Sequence, residues 1–264
     1  MTPKATSVQN EALQVYDKHY GRMGNVPPDW ATAGQADTRY ISAKPWLPAS
    51  KNAQILDFGC GWGHQLVSLW QVGYRHLEGV DISRPQAVVA ECALLNKASI
   101  YCMDGREFIK SKPCTYDLIT LNDVIEHVSP NEALTLLEAL RAALKEGGRL
   151  VLRTPNMSSL LAAYSLHLDV THVAGYTEWS LMQLLDVAGF VDHRLVEAAT
   201  GWEPRSWRPW LPLRGLGLRS ALNRTIHRAL YAIRCQYPVP KCFDYNVELY
   251  SHKPQSSASA TQQN

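Results

Sequence analysis

The sequence predicts an α/β fold in which helices cover a mainly parallel β-sheet. From about residue 53 onward, short apolar runs alternate with amphipathic segments, which is the pattern of repeated βα units. The first apolar run leads directly into a glycine-rich segment, and the chain of 264 residues is long enough for one domain with a substantial core. We therefore expect one α/β domain with added segments rather than two domains of equal size.

Three parts are expected along the chain. Residues 49–253 form the main domain, which includes an insertion at 201–241 before the last strand. Residues 1–48 carry five aromatic side chains and are predicted to fold over the main domain as a helical cap. Residues 254–264 are rich in Ser, Gln and Ala, a composition that predicts a disordered tail.

The apolar runs predict seven strands. Strands of a sheet that is covered on both faces are short and largely apolar, and these runs have that character. In chain order they are residues 54–58, 77–80, 99–103, 118–121, 149–152, 191–197 and 245–251.

Apolar residues at helical spacing predict the helices between these strands. Residues 63–71 and 131–145 each place apolar side chains on one helical face. Gly147 and Gly148 are expected to end the second of these helices with left-handed backbone. Thr177 is expected to cap a later helix.

Composition restricts the partners and the location of the protein. The 26 basic and 24 acidic residues give a net charge of +2, which is too small to predict nucleic-acid binding. Residues 1–25 lack the apolar segment of a secretory signal, and no stretch approaches the roughly 20 apolar residues of a membrane span. The six cysteines contain no CxxC pair and are expected to be reduced, mostly buried thiols. We expect a cytoplasmic protein, with peripheral contact at the inner membrane face left open.

The strongest chemical signal is the run DFGCGWG at residues 57–63, between the first strand and the first helix. Glycine has no Cβ, so this backbone can approach a ligand closely. A loop of this kind serves several nucleotide cofactors, and it also occurs as a simple tight turn. The loop alone therefore does not identify a ligand.

Asp81 supplies an acidic partner for the loop. It closes the second strand about 20 residues further on, where a carboxylate can accept the hydroxyls of a ribose. The glycines are spaced GxGxG, whereas dinucleotide sites use GxGxxG, so no pyrophosphate site is predicted. An adenosine site fits this pattern, and an NAD-dependent oxidoreductase stays as an alternative only if the glycine spacing misleads.

These residues resemble the class I S-adenosylmethionine-dependent methyltransferases. Residues 57–63 are similar to the first motif of that family, and Asp81 is similar to its second acidic position. Further similarities follow in the family's order: residues 103–105 look like the turn that contacts adenine, 116–128 like the fourth-strand motif, and 144–150 like the turn into the fifth strand.

The resemblance covers residues 53 to about 196. It implies a Rossmann-like seven-stranded sheet in the order 3-2-1-4-5-7-6 with an antiparallel last strand. It also implies S-adenosylmethionine as cofactor. The implied cofactor-binding residues are Asp57, Gly59, Cys60, Gly61, Gly63, Asp81, Ile82, Asp104, Gly105 and Asn122.

His127 is the first candidate for a catalytic base. Methyl transfer to a hydroxyl is an in-line displacement, and a nearby base helps to remove the hydroxyl proton. Histidine suits this task because its ordinary pKa of about 6.5 leaves it largely neutral at physiological pH. His127 follows the fourth strand at the edge where ligands bind in open α/β sheets. Capping of a helix or packing against the cofactor is the alternative, with equal weight.

His172 is the second catalytic candidate. It lies in a loop after the fifth strand and is expected to face the same cleft. A structural capping role is equally compatible with the sequence. The histidine and the Gly175-Tyr176-Thr177 helix start that follows it look like a subgroup that includes ubiquinone-biosynthesis O-methyltransferases and methyltransferases of bacterial surface polysaccharides. The resemblance implies that His172 contacts the substrate.

A metal site is a further, weaker hypothesis. Asp123, Glu126 and His127 offer two carboxylates and one imidazole, and the similar motif in ubiquinone O-methyltransferases is associated with a divalent ion. Oxygen-rich ligation favours magnesium or manganese over zinc. The two acids are more readily explained by backbone contacts at a helix start.

Residues 202–234 combine basic and aromatic side chains, and Glu203 is the only acid among them. Residues 220–233 are predicted to form a basic helix, which together with nearby tryptophans is typical of interfacial membrane contact. A substrate lid, a dimer contact and a packed helix with solvated arginines are the alternatives. The residues concerned are Trp202, Arg205, Trp207, Arg208, Trp210, Arg214, Arg219, Arg224, Arg228 and Arg234.

The sequence thus predicts an O-methyltransferase that acts on a hydroxyl of a sugar, a glycolipid or a related metabolite. The expected partner is a small-molecule or lipid-linked glycan substrate, with no nucleic acid. A quinone-type or other small-molecule methyltransferase is the nearest alternative. A non-catalytic adenosylmethionine-binding protein is the alternative from another class.

Overall fold

A computed structural model describes residues 11–12, 15–28, 41–196, 218–235 and 237–255 of the chain. Within these residues, seven strands form one sheet in the order β3-β2-β1-β4-β5-β7-β6. Strand β7 runs antiparallel to both of its neighbours, and the pairs among β1 to β5 are parallel. The predicted strand count, strand order and antiparallel last strand are confirmed.

The observed strands lie close to the predicted ones, and the fourth and fifth are longer than predicted. Both pair with neighbours on each side, so backbone hydrogen bonding carries them past their apolar centres. The bounds are β1 Gln54–Phe58, β2 His76–Asp81, β3 Ser99–Cys102, β4 Tyr116–Asn122, β5 Leu144–Pro155, β6 Val191–Leu195 and β7 Asn246–His252.

The core lies in two layers, one on each face of the sheet. Successive side chains of a strand point to opposite faces, so Ile55 and Leu118 pack in one layer while Leu56 and Ile119 pack in the other. Helices cover both layers. They are α1 Tyr16–Arg22, α2 His64–Gln71, α3 Arg84–Ala93, α4 Gly105–Lys110, α5 Pro130–Ala143, α6 Ala162–His167, α7 Glu178–Val187 and α8 Leu218–Ile233.

Helix α5 ends earlier than the sequence predicts. Strand β5 begins at Leu144, which pairs with Tyr116 on β4. Gly147 and Gly148 therefore lie inside β5 and not at a helix stop. Gly147 has the left-handed backbone that was expected (φ 69°), but its N–H donates to the Lys253 carbonyl oxygen at 3.1 Å. Pairing with neighbouring strands overrides the local helical pattern here.

The predicted N-terminal cap is described in part. Helix α1 is one described element, and residues 41–48 pack against the edge of the domain near β7. The Trp46 ring is buried, its indole N–H donates to Glu248 Oε1 at 2.6 Å, and Lys44 Nζ lies 2.5 Å from Glu248 Oε2. The division of the chain into cap, domain and tail stays a prediction.

Residues 218–235 and 237–241 are the described part of the predicted insertion, and helix α8 within it begins two residues before the predicted helix. Trp202, Trp207 and Trp210 lie outside the described residues, as do residues 256–264 of the predicted tail. None of the described helices combines the length and the apolar character needed to cross a membrane.

All six cysteines are described and free, but the prediction of mostly buried thiols is wrong. Only Cys60 and Cys242 are buried. Cys92 lies on the outer face of α3, and Cys114 occupies a turn before β4, where solvent reaches both side chains.

The position of the site follows from the strand order. Strands β1 and β4 are neighbours, and from them the chain builds the sheet outward in opposite directions. Such a reversal leaves a crevice at the carboxyl ends of the two strands, where ligands bind in open α/β sheets. The glycine loop follows β1 and a 3-10 turn, Ile125–His127, follows β4, so both lie at this crevice.

Candidate active site

A cleft of about 1250 Å³ opens at the carboxyl ends of β1, β2 and β4. Gly63 is absent from its lining, whereas the other nine residues expected to bind the cofactor line it. As binding residues, all ten remain predictions. The nine are Asp57, Gly59, Cys60, Gly61, Asp81, Ile82, Asp104, Gly105 and Asn122.

The glycine loop is held against the end of β2. Gly59 and Cys60 donate their N–H groups to the Val80 carbonyl oxygen at 2.8 and 3.1 Å. Gly59 has φ 76°, and a Cβ at this position would clash with Val124 Cγ2. Gly63 begins α2 with φ 84° and faces Ala90 and Leu94, so it shapes the turn without lining the cleft.

Asp81 faces the glycine loop at the end of β2. Its Oδ2 accepts the Gly61 N–H at 2.7 Å, and its Oδ1 accepts the Ser83 N–H at 2.8 Å. Burial raises the pKa of this carboxyl. The backbone bonds fix the carboxylate in the cleft wall, and the neighbouring Ile82 side chain is 61% exposed there. A fixed carboxylate beside an exposed apolar side chain fits the ribose and the base of an adenosine.

Asp57 lies deeper, at the end of β1. Its Oδ1 accepts the Thr120 hydroxyl at 2.8 Å, and the Gln65 amide approaches the same oxygen at 3.5 Å. The Asn122 amide in turn donates to Gln65 Oε1 at 2.8 Å. Burial raises the pKa of Asp57 to about 7. An acid that ionises near neutral pH at the cleft floor responds strongly to a cationic ligand.

Asp104 caps helix α4 at the far side of the cleft. Its Oδ1 accepts the Arg106 N–H at 2.8 Å, and its Oδ2 lies 2.8 Å from Arg106 Nη2. The hydrogen bond from the Arg106 side chain lowers the pKa of Asp104. Gly105 follows, and a Cβ there would clash with the Phe58 ring. The turn is therefore restricted to glycine by close packing.

Helix α1 supplies cleft residues that the sequence did not reveal. Tyr16, Asp17 and Tyr20 line the cleft. Asp17 accepts from Gln86 Nε2 at 3.0 Å and from the Ser83 hydroxyl at 3.2 Å, and the Tyr20 and Trp62 rings lie 5.5 Å apart. The cluster of aromatic residues before the sheet was the available signal, but nothing in it indicated which residues face the cleft.

His127 lies in the cleft wall at the end of the 3-10 turn, and its ring is held by a chain of hydrogen bonds. His127 Nδ1 lies 2.8 Å from Thr171 Oγ1, and the Thr171 hydroxyl donates to Asp169 Oδ1 at 2.7 Å. Because the single hydroxyl proton is directed to Asp169, Thr171 accepts from His127, which places the imidazole proton on Nδ1. The lone pair is then on Nε2.

Burial favours the neutral form of His127. Burial lowers the pKa of His127 to about 4, and the neighbouring His172 adds to the effect. Burial alone would raise the pKa of Asp169, but the hydrogen bonds from Thr171 lower it below its ordinary value. A neutral imidazole and an ionised carboxylate therefore share one buried threonine hydroxyl. Thr171 and Asp169 are site residues that the sequence did not identify.

His172 lies against His127, with ring centroids 4.7 Å apart. Its Nδ1 donates to the Ser165 carbonyl oxygen at 3.0 Å, and its side chain is absent from the cleft lining. The bond to α6 holds the ring beside His127. Its proposed contact with substrate stays a prediction.

The three residues of the weaker metal hypothesis, Asp123, Glu126 and His127, do not converge as one ligand set. Asp123 pairs with Arg153 instead of turning toward Glu126 and His127. Among the described residues, the group with ligand atoms within 4.8 Å of one another consists of Glu126, His127 and His172. Two imidazoles and one carboxylate differ from the oxygen-rich set expected for magnesium or manganese. Burial also raises the pKa of Glu126 to about 8, which favours its protonated form.

Comparisons with known proteins agree with this geometry. A family model described as "Methyltransferase domain" matches residues 34–195. A ubiquinone biosynthesis O-methyltransferase of Aeromonas salmonicida is 31% identical over 106 residues, which cover 39% of this chain and 43% of that protein. A sphingolipid C9-methyltransferase of Candida albicans is 32% identical over 115 residues, covering 40% of this chain and 22% of that protein. The matched segments thus span less than half the length of these two relatives.

A solved structure shows the same fold. The chain resembles a SAM-dependent methyltransferase from Archaeoglobus fulgidus with a TM-score of 0.61 and 20% sequence identity, over 90% of this chain and 99% of that one. The likeness extends over almost the whole of that protein, so the sheet, its strand order and its covering helices are shared.

Proposed function

The chain belongs to the class I S-adenosylmethionine-dependent methyltransferases, and from this premise we propose that it methylates a hydroxyl group of a sugar, a glycolipid or a related metabolite. The observation that carries the proposal is the His127 ring in the cleft wall, held by Thr171 with its proton on Nδ1. A neutral imidazole at the cleft is one of the groups that can act as a base toward a hydroxyl acceptor.

Asp81 and the glycine loop are the residues that would hold the adenosyl part of the cofactor, with Ile82 against the base. Asp57 would face its positively charged end. When bound, S-adenosylmethionine supplies an electrophilic methyl group, which leaves sulfur with the S–C bonding pair remaining on sulfur while the acceptor oxygen forms the new O–C bond. The protein then has two tasks, which are to align the acceptor and to remove its proton.

His127 takes the acceptor proton on Nε2 in this proposal. The imidazole becomes positively charged, and its Nδ1–H continues to donate to Thr171. Asp169 stabilises that charge through the threonine hydroxyl, as a buried carboxylate stabilises a catalytic histidine in other enzymes. The arrangement resembles the logic of a catalytic triad, with a hydroxyl placed between the acid and the imidazole.

Aromatic side chains surround the position expected for the acceptor. The Tyr16 ring meets His127 at a centroid distance of 6.0 Å and stacks on Tyr20 at 5.6 Å. Such surfaces pack against the C–H face of a sugar and equally against an aromatic ring. A quinone-type acceptor is therefore the second candidate, and the similarity to a ubiquinone-biosynthesis enzyme supports it.

The acceptor class can be tested with methyl-labelled S-adenosylmethionine. The purified protein is incubated with separate soluble, membrane and polysaccharide fractions of the source cell. Label in a base-stable methyl ether of a glycan or glycolipid is the expected result. Label in an aromatic ether would move the assignment to a quinone-type acceptor, and cofactor binding without any transfer would indicate a non-catalytic binding protein.

The role of His127 can be tested separately from cofactor binding. We expect His127→Gln to lower turnover by about 10² to 10⁴, with an unchanged dissociation constant for S-adenosylmethionine. Thr171→Val should lower turnover by about tenfold or more because the Nδ1 bond is lost, whereas Thr171→Ser keeps the hydroxyl and should retain most activity. Full turnover in His127→Gln would contradict the base role.

A further inference from the structure

Helix α8 exposes one apolar face. Leu222, Ile226, Leu230 and Ile233 recur every three or four residues and therefore lie in one stripe, with exposed fractions of 54, 44, 41 and 78%. The packed side of the helix is different: His227 is buried there. The stripe is thus not the side by which α8 attaches to the domain.

A second group of exposed apolar side chains adjoins this helix. Leu160, Leu161 and Tyr164, at the start of α6, are 57, 59 and 62% exposed. The Leu160 N–H donates to His227 Nε2 at 2.8 Å, which joins this segment directly to α8. We call the seven exposed side chains of the two groups the docking face.

The charges on α8 identify the kind of surface that fits the docking face. Residues 218–233 contain arginines and no acid, and Arg224 and Arg228 lie within the described part. Arg234 follows the helix directly. An exposed apolar stripe, with Arg224 and Arg228 on the opposite side of a helix that contains no acid, is the amphipathic pattern of an interface with anionic lipid headgroups, where the apolar side chains enter the acyl boundary.

We propose that the protein docks on an anionic lipid surface through this docking face. Part of the docking face is linked to the cleft through helix α6. The Ser165 carbonyl of α6 accepts a hydrogen bond from His172, and the His172 ring packs on His127. The α6 part of the docking face is therefore linked to the candidate base through His172. The proposal requires no assumption about which acceptor is methylated.

The experiment is co-sedimentation of the full chain with vesicles of phosphatidylglycerol and phosphatidylcholine, compared with vesicles of phosphatidylcholine alone. Binding to the anionic vesicles that weakens as salt is added is the expected result. Equal binding to both vesicle types would overturn the anionic part of the proposal. Absence of binding to either type would overturn the docking face itself.

Variants locate the contact. The double variant Leu222→Gln with Ile226→Gln should lower the vesicle-bound fraction by about tenfold, because both side chains leave the apolar stripe. Arg228→Gln should weaken binding by about fivefold, as expected for one basic residue near an anionic surface. Leu95→Gln is the matched control, since Leu95 is 70% exposed at the end of α3 and should leave binding unchanged.

Two further measurements separate this proposal from its competitors. Sedimentation velocity of wild type and the double variant tests a second copy of the chain as the occupant: a dimer that the variant breaks, without vesicle binding by the wild type, would overturn the lipid assignment. Affinity for S-adenosylmethionine in the absence of vesicles should be the same in wild type and all variants. Vesicle binding without methyl transfer would leave the docking face intact and count against the proposed function alone.

Discussion

The two sides of the cleft are built in different ways. On the cofactor side, Asp57, Gly59 and Asp81 lie within 25 residues of one another at the ends of adjacent strands. Backbone bonds fix Gly59 and Asp81, and the Thr120 hydroxyl holds Asp57. On the acceptor side, His127 is oriented by Thr171 and Asp169, more than 40 residues further along the chain. Helix α1, from a third part of the sequence, contacts both sides: the Tyr16 ring meets His127, and Asp17 accepts from the Ser83 hydroxyl near Asp81.

This difference predicts which residues of the cleft tolerate substitution and which do not. The cofactor side depends on close backbone packing, where one added methyl group meets fixed atoms. The acceptor side depends on side-chain hydrogen bonds and ring contacts, which can be removed one at a time. We therefore expect substitutions on the cofactor side to have the larger effects on stability, and the predictions below run from the largest effect to the smallest.

Gly59→Ala should be the most damaging of these changes. The alanine would have to adopt φ 76° and its Cβ would clash with Val124, so the loop must move. We expect a loss of about 1 to 3 kcal/mol in the free energy of unfolding, as for strained left-handed residues, together with weaker binding of S-adenosylmethionine. Thermal melting and calorimetric titration measure the two effects.

Gly21→Ala is the control for this change. Gly21 lies in helix α1, and its added Cβ would meet no atom within 4 Å. Alanine is the better helix former by about 0.5 to 1 kcal/mol, so unchanged or slightly higher stability is expected. Equal losses in the two variants would mean that glycine content, and not close packing of the loop, governs the cofactor side.

The fold could be predicted largely from the sequence because its signals are local. The apolar runs mark the strands, and the motif at residues 57–63 marks the turn between β1 and α2. The end of α5 was missed because Leu144 continues the helical apolar pattern and yet pairs with Tyr116 on β4. The strand partner that ends the helix lies nearly 30 residues away in the sequence, so no local pattern indicates it.

The candidate site, like the fold, could be predicted only where its signals are local. His127 was identified from its position after β4, but the hydroxyl that orients it belongs to Thr171 in a distant loop. Asp123 was considered as a metal ligand together with Glu126, and it pairs instead with Arg153 on β5. Contacts of this kind depend on how separate loops meet at the sheet edge, so residue types and spacing could indicate the participants without indicating the partners.

The pH dependence of turnover and of cofactor affinity should distinguish the acceptor side of the cleft from the cofactor side. The pKa of His127 is lowered to about 4, so this base stays neutral at about pH 5.5, where a histidine of ordinary pKa would be about nine-tenths protonated. We expect turnover at saturating cofactor to stay nearly constant from neutral pH down to about pH 5.5 and to fall as the pH approaches 4. Rate measurements across this range test the expectation.

On the cofactor side, the affinity for S-adenosylmethionine should change nearer to neutral pH. The pKa of Asp57 is raised to about 7 by burial, and its ionised form attracts a cation, so affinity for S-adenosylmethionine should rise as the pH increases through about 7. Calorimetric titration at several pH values provides that measurement. A turnover limb near pH 6.5 at saturating cofactor would contradict the lowered pKa of His127.

The smallest effect is expected at the aromatic contacts of helix α1. Tyr20 packs edge-on against Trp62 at 5.5 Å, and aromatic pairs of this kind contribute about 0.5 to 1.5 kcal/mol beyond their buried area. Tyr20→Ala should therefore raise the KM for the cofactor or the acceptor by about threefold to tenfold, with little change in kcat, because the helix covers the cleft without touching the proton taken by His127. Steady-state kinetics with each substrate varied in turn make the measurement.

Lys18→Ala is the matched control on the same helix. Lys18 is exposed and absent from the cleft lining, so its loss should change neither KM. If Tyr20→Ala and Lys18→Ala behave alike, helix α1 does not contribute binding energy through its aromatic face. If Tyr20→Ala lowers kcat as strongly as His127→Gln, the helix acts on the chemical step, and the acceptor side is as intolerant of change as the glycine loop.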